Sequence, residues 1–259
     1  MSAALDARAV GNKFVLVVRP TRLDELVSRY NTAQQAQFYL EHLGADFGDY
    51  LNEHSRYGEA LTKTETLLRE LGRVQRLDRR YLQKFIFGAG DIVVVLGQDG
   101  LVANTLTYVE GQPVIGVNPD PARWDGVLLP FAVDDLPRVM PEVIRKRRPI
   151  RSVTMAEVTL NNGQTLHAVN DFFVGQRSHV SARYTIAIAG REERHSSSGV
   201  IISTGLGSTG WLRSIYAGWH AATRTLLGEV TGAPGDGSFP WDADHLHYFV
   251  REPYRSCVT

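Results

Sequence analysis

Residues 91–96, Asp91-Ile92-Val93-Val94-Val95-Leu96, are an unbroken, mostly β-branched run that empties into the turn Gly97-Gln98-Asp99-Gly100. A run this apolar predicts a strand buried on both faces, as in a parallel sheet sandwiched by helices. Residues 101–109 read as a helix, and Pro113-Val114-Ile115-Gly116-Val117-Asn118 as the next strand. Strand, tight glycine turn, helix and strand make a βαβ unit. Such units cross over right-handed and leave ligands at the carboxyl ends of their strands. Phe14-Val15-Leu16-Val17-Val18, closed by Arg19-Pro20, predicts a second buried strand. Helices are expected over 28–43, over 54–71 with Gly72 as its stop, and over 136–146. Asp135 stands where it can cap the last of these, with Pro137 in its first turn.

Near Pro149 the pattern changes from alternating strand and helix to strand after strand. Residues 152–160 alternate loosely, Asn161-Asn162-Gly163 is a hairpin turn, and 164–169 returns. Further strands are expected over 183–189 and 199–203, a helix over 211–227 and a loop over 231–240. The expected architecture is an α/β N-terminal domain with a parallel sheet, residues 1–134. A β-rich C-terminal domain follows, residues 135–259.

Composition narrows the function. The 28 basic and 28 acidic side chains cancel, which argues against a nucleic-acid binder. The basic run Arg145-Lys146-Arg147-Arg148 reads as a solvated helix end. No apolar run approaches the ~20 residues of a membrane span, and residues 1–12 lack an apolar signal core. A single cysteine, Cys257, cannot close an internal disulfide. The expectation is a soluble, cytoplasmic protein. The eight histidines show neither H-x-x-x-H spacing nor a cysteine partner, so no protein-held metal site is expected. The absence of a G-x-S-x-G elbow leaves a serine hydrolase without its nucleophile.

Three segments could carry chemistry. In the turn at 97–100, Gly97 and Gly100 permit positive φ and close approach of a ligand, and amides at a helix start favour phosphate. A carboxylate there would repel phosphate, so Asp99 needs a role: magnesium coordination, general-base work on an attacking hydroxyl, or merely bonding its own turn. Gly205-Leu206-Gly207-Ser208-Thr209-Gly210 also joins a strand to a helix, and could cradle a polar ligand or serve as a helix entry. It is not a P-loop, since no lysine follows its last glycine. Asn170-Asp171, at a strand end, could grip ribose hydroxyls or form a simple turn.

Taken in order, the three segments resemble those of the NAD kinase family. That family carries a G-G-D-G-T turn, an Asn-Glu pair and a T-x-T-G-S-T-A-Y-like loop. The matching stretches are Val95 to Gly100, Val169-Asn170-Asp171, and Ile202 to Trp211. The mitochondrial-type branch is similar also in its R-P-T-R start (Arg19-Pro20-Thr21-Arg22), its P-V-I-G-V-N-x-D-P segment (residues 113–121) and Ser197-Ser198-Gly199.

The resemblance implies the two-domain NAD kinase fold and ATP-dependent phosphorylation of the 2′-hydroxyl of the adenosine ribose of NAD, giving NADP. Asp99 would be the base. The turn at Gly97, Gln98 and Gly100, with Mg²⁺, would offset the triphosphate charge. Asn118 would contact substrate, and Asn170 and Asp171 would hold the dinucleotide. Thr204, Gly207, Ser208 and Thr209 would line the pocket between the domains. The family also implies small nucleotide substrates and a dimer. The chain departs from the pattern at Gln98 (for Gly), Leu101 (for Thr) and Asp171 (for Glu). It stops at Thr259, ahead of the family's returning C-terminal strands. Two alternatives stay open: a kinase for a sugar or lipid hydroxyl, since lipid kinases and phosphofructokinases share the G-G-D-G turn, and a non-catalytic dinucleotide-binding homologue, because of Gln98 and Leu101.

Overall fold

A computed structural model of the chain describes residues 11–227 and 235–254. Cys257, the first ten residues and part of the loop expected over 231–240 lie outside them. The chain divides into two compact units between residues 150 and 151.

The first unit is built on a five-stranded, all-parallel sheet. Its strands are β1 (Lys13–Val18), β2 (Arg73–Asp78), β3 (Asp91–Leu96), β4 (Val114–Asn118) and the short β5 (Phe131–Ala132), in the order β2-β1-β3-β4-β5. Alternate residues of β1 and β3 feed two separate cores. Phe14, Leu16, Ile92, Val94 and Leu96 face one layer, and Val15, Val17, Val93 and Val95 the other. The unbroken apolar runs exist because both sheet faces are covered.

Three helices follow β1: α1 (Arg22–Tyr30), α2 (Ala33–His42) and α3 (Phe47–Leu71). The helix expected over 28–43 is thus two helices. Asn31 is left-handed at φ 68° and Thr32 caps α2. The helix expected over 54–71 starts earlier, at Phe47, capped by Asp46. Next come α4 (Asp99–Leu106) and α5 (Leu136–Ile144). Asp135 sits at the cap position of α5 but makes no capping bond to it; its carboxylate accepts from the Ala132 amide. α5 buries Leu136 and Met140 in the same core as β1 and β3. That packing is why the unit boundary falls at 150 rather than at the expected 134.

The second unit is mostly antiparallel. Hairpin β6 (Ala156–Thr159) and β7 (Thr165–Ala168) closes at Asn161-Asn162-Gly163, with Gly163 at φ 82°. A three-stranded sheet contains β8 (Asp171–Val174), β11 (Gly199–Ser203) and β12 (His247–Arg251), with β11 central. β9 (Ala182–Ile188) and β10 (Arg191–Ser197) form a second hairpin, and α6 (Trp211–Leu227) follows the second glycine loop. The parallel α/β unit and the antiparallel one have the expected fold class. Among the described residues no helix is long and apolar enough to cross a membrane.

Candidate functional site

In the strand order β2-β1-β3-β4-β5, the connections leave β1 and β3 in opposite directions across the sheet. Open α/β sheets hold a crevice at the carboxyl ends of the strands where the order reverses. Here the two chains part after the pair Val17–Val95. Tyr57 of α3 fills the fork, donating to the Leu96 carbonyl (3.0 Å) and accepting from the Arg19 amide (3.1 Å). Burial pushes the Tyr57 phenol up, so it remains a protonated donor.

A cavity of about 420 Å³ opens at these ends, lined by Arg19, Arg79, Arg80, Gln98, Gly100, Leu101 and Asn104. Gln98 and Gly100 are the anticipated turn; Arg19 follows β1, and Arg79 and Arg80 follow β2. Gly97 and Gly100 do not take the positive φ expected of them. The requirement at Gly97 is space: a Cβ would lie 2.8 Å from Leu101 Cδ2 and 3.8 Å from Arg19 Cδ. Leu101, where the family resemblance has threonine, is buried among Val93, Val95 and Leu129.

Asp99 opens α4 directly after this turn. Its two carboxylate oxygens accept the backbone amides of Val127 (3.0 Å) and Leu128 (2.8 Å). The loop 119–130 reaches it by lying against β4, where a Cβ on Gly116 would stand 1.9 Å from the Leu128 carbonyl oxygen. Asn118 is buried and folds the same loop. Its amide donates to the Trp124 carbonyl (2.8 Å) and its oxygen accepts from the Asp120 amide (3.0 Å). The side chain expected to touch substrate therefore spends its polar atoms on loop 119–125.

Ion pairs fasten the loop from outside. Arg56 grips Asp120 through both carboxylate oxygens, and Arg123 reaches Asp49 at 2.5 Å. Asp49 also takes Arg22, and the guanidiniums of Arg123 and Arg22 hold its carboxyl down at about 2. Glu53, buried in α3, pairs with Arg19 at 2.9 Å and with Arg22. Burial pushes the Glu53 carboxyl up, but those two guanidiniums outweigh it and hold it low. Arg19 is itself only 9% exposed. It spends its terminal nitrogens on Glu53 and the Pro20 carbonyl, and its buried Nε has no partner.

In the second unit Asn170 links β7 to β8 and is exposed, while Asp171 begins β8. Burial pushes the Asp171 carboxyl up, with Ser203 beside it working the other way, and Asp171 Oδ1 is buried without a partner. The glycine loop is a tight backbone crossing. A Cβ at Gly207 would meet the Asn170 carbonyl oxygen at 2.1 Å, and one at Gly205 the Pro240 carbonyl oxygen at 1.8 Å. The Thr204 hydroxyl donates to the Val169 carbonyl and accepts from the Gly207 amide. Ser208 donates to the Gly205 carbonyl and accepts from the Phe239 amide, and Thr209 donates to the Leu206 carbonyl. These hydroxyls hold the loop itself together at the entry to α6.

The anticipated residues thus lie in two groups, one in each unit. Sequence reasoning missed Arg19, Arg79, Arg80 and Asn104 as lining residues. The visible signal was the pair Arg79-Arg80, but its place beside β1 and β3 depends on a parallel pairing that local sequence does not announce.

No protein-family profile matches the chain. It is 28% identical over 127 residues to the NAD kinase of Chlorobaculum tepidum, covering 48% of this chain and 44% of that protein. It is 25% identical to the human mitochondrial NAD kinase 2, covering 93% of this chain and 66% of that protein. The chain therefore spans about half to two thirds of the length of these relatives. In fold it is similar to an NAD kinase of Archaeoglobus fulgidus crystallised with ATP, at a TM-score of 0.52 and 17% identity, over 94% of this chain and 73% of that one. The chain is thus similar in sequence, at 25–28% identity, to proteins named NAD kinase, and similar in fold to a solved NAD kinase structure.

Proposed function

We propose that the chain is a phosphotransferase that moves the γ-phosphoryl group of ATP to the 2′-hydroxyl of the adenosine ribose of NAD, giving NADP. The carrying observation is the setting of Asp99 in a chain whose relatives are NAD kinases. Its carboxylate is fixed by two backbone amides at the carboxyl end of central strand β3. An ionised carboxylate offers about four lone-pair sites, so two amide bonds leave it able to accept a hydroxyl proton without releasing the loop. In the proposed step the ribose 2′-oxygen bonds to the γ-phosphorus while its proton passes to Asp99. The bond from the γ-phosphorus to the β–γ bridging oxygen breaks, ADP leaves with that electron pair, and Asp99 returns its proton to solvent.

Among the described residues no cluster of three His, Cys, Asp or Glu offers a metal cage. Magnesium fits this site as a companion of the triphosphate, because it is commonly held by substrate phosphates with one or two carboxylates. When bound it would offset charge on the transferring group. The turn at Gly97, Gln98 and Gly100 would face the phosphates, and Asn118 would act by shaping the loop that holds Asp99. Asn170, Asp171, Thr204, Gly207, Ser208 and Thr209 form the dinucleotide-binding part of the reading. A dimer rests on the family likeness, and a cytoplasmic location rests on the single cysteine, Cys257.

Purified chain given Mg²⁺-ATP and NAD should accumulate NADP in a coupled assay. A second reading, a dinucleotide-binding protein without turnover, is favoured by Leu101, which stands where the family resemblance has threonine and is buried in the core. Calorimetric binding of NAD with no NADP from any phosphoryl donor would select it.

A further inference from the structure

We propose that His245 and His247, with Asp244 beside them, form an open binding site for a divalent transition-metal ion of the zinc type. The proposed phosphoryl transfer uses none of these residues.

Spacing is the first argument. The pair lacks the H-x-x-x-H spacing of a helical site, but in an extended chain residues i and i+2 share a face. His247 opens β12, and His245 lies two residues before it. Ring geometry is the second. The two imidazole centroids are 5.4 Å apart, with their planes inclined by 35°. With Zn–N bonds of about 2.0–2.1 Å at a tetrahedral angle, two imidazole centroids on one ion lie roughly 5 Å apart. The rings already stand near that separation.

Phe239 sets them side by side. Its centroid lies 5.0 Å from that of His245 and 4.3 Å from that of His247. Rings on opposite faces of the phenyl group would be separated by nearly the sum of those distances, so both imidazoles share one face of it. Imidazole lone pairs lie in the ring plane, so rings set side by side can share one ion, whereas rings stacked on each other cannot.

Free donors are the third argument. Asp244 Oδ1 lies 3.5 Å from His245 Nδ1. A carboxylate in that place takes the Nδ1 proton and leaves the lone pair of Nε2 for a metal. Among the described residues the His247 ring makes ring contacts but no hydrogen bond or ion pair. His245 and Asp244 are exposed, so an ion reaches them from solvent.

Two protein donors are fewer than a closed site has, and water fills the remaining positions. Imidazole donors select Cu²⁺, Ni²⁺ or Zn²⁺ and leave Mg²⁺ to oxygen ligands. The site is therefore distinct from any held by nucleotide phosphates. A bound ion would also brace the segment against the second glycine loop. The Phe239 amide donates to Ser208 Oγ at 3.1 Å, and the Pro240 carbonyl oxygen crowds Gly205.

The test is calorimetric titration of the untagged whole chain with Zn²⁺ and, separately, Mg²⁺, without nucleotide. The parent should bind Zn²⁺ and not Mg²⁺. His245→Gln and His247→Gln should each weaken Zn²⁺ by about 100-fold or more, and Asp244→Asn by about 10-fold. His195→Gln, on another hairpin, should bind as the parent does. Zn²⁺ should raise the melting temperature of the parent and leave the two glutamine variants unmoved. If His247→Gln melts early for want of its contact with Phe239, His247→Phe keeps a ring there and still removes the donor. Unchanged Zn²⁺ affinity in His245→Gln or in a folded His247 variant overturns the proposal. So does a parent that binds no Zn²⁺, or that binds Mg²⁺ as tightly.

Discussion

Asp99 and Asp171 are both carboxylates beside glycine turns, yet their surroundings differ. Asp99 accepts two amides, whereas Asp171 keeps a buried oxygen unpaired and a carboxyl pushed up by burial. A carboxyl whose folded pKa is raised weakens the fold above that pKa and ceases to do so once protonated. Asp171→Asn should therefore raise the melting temperature at neutral pH by a small margin, up to about 1 kcal/mol of stability. The gap should close as the pH falls through the raised value; a gap independent of pH would refute this origin. Leu101 carries the opposite lesson. It stands where the family resemblance has threonine, but it is core. Leu101→Thr should cost about 2–3 kcal/mol in urea melts and should not raise turnover. A neutral or activating substitution would show that the residue belongs to the site rather than to the packing.

Loop 119–130 is the element on which the site depends, because it is tied at Asp99, Asn118, Asp120 and Arg123. Gly116→Ala would drive a Cβ into the Leu128 carbonyl, and overpacking of this kind costs about 1–3 kcal/mol. Hydrogen exchange should rise across 119–130 in that variant and stay low in β1 and β3; unchanged exchange in the loop would contradict the account. The clamp of α1, α3 and this loop also has a pH signature. The carboxyls of Asp49 and Glu53 are held below their ordinary values. Their stabilisation is present above ordinary carboxylate pKa values near 4 and is lost as the pH falls through the folded ones. Acid should loosen the loop before the sheet, and Arg22→Met should flatten that dependence. Elements also differ in how far sequence reveals them. β1, β3 and β4 are plain as apolar runs because both of their faces are buried. β2 (RVQRLD) has only Val74 and Leu77 as apolar residues, and β10 (REERHSS) has none. β2 is a sheet edge and β10 belongs to a two-stranded hairpin, so neither is forced into an apolar pattern.

At the scale of the molecule, the change from alternating strand and helix to consecutive strands was legible, and so was the position of the Asp99 turn. The arginine crevice was not, because it exists only once β2 pairs with β1 and β1 with β3, bringing together residues 19, 79, 80 and 98. The unit division at 150, later than the expected 134, has a related reason: α5 declares its allegiance by packing Leu136 and Met140 into the first core, not by its composition. The central claim, that Asp99 receives the proton of the attacking ribose hydroxyl, has one direct test. NADP formation by the parent chain and by Asp99→Asn is measured with Mg²⁺-ATP and NAD at equal folded concentration. The account predicts that the parent forms NADP and that the variant falls by ~10²–10⁴-fold in kcat. A folded Asp99→Asn chain as active as the parent would contradict it.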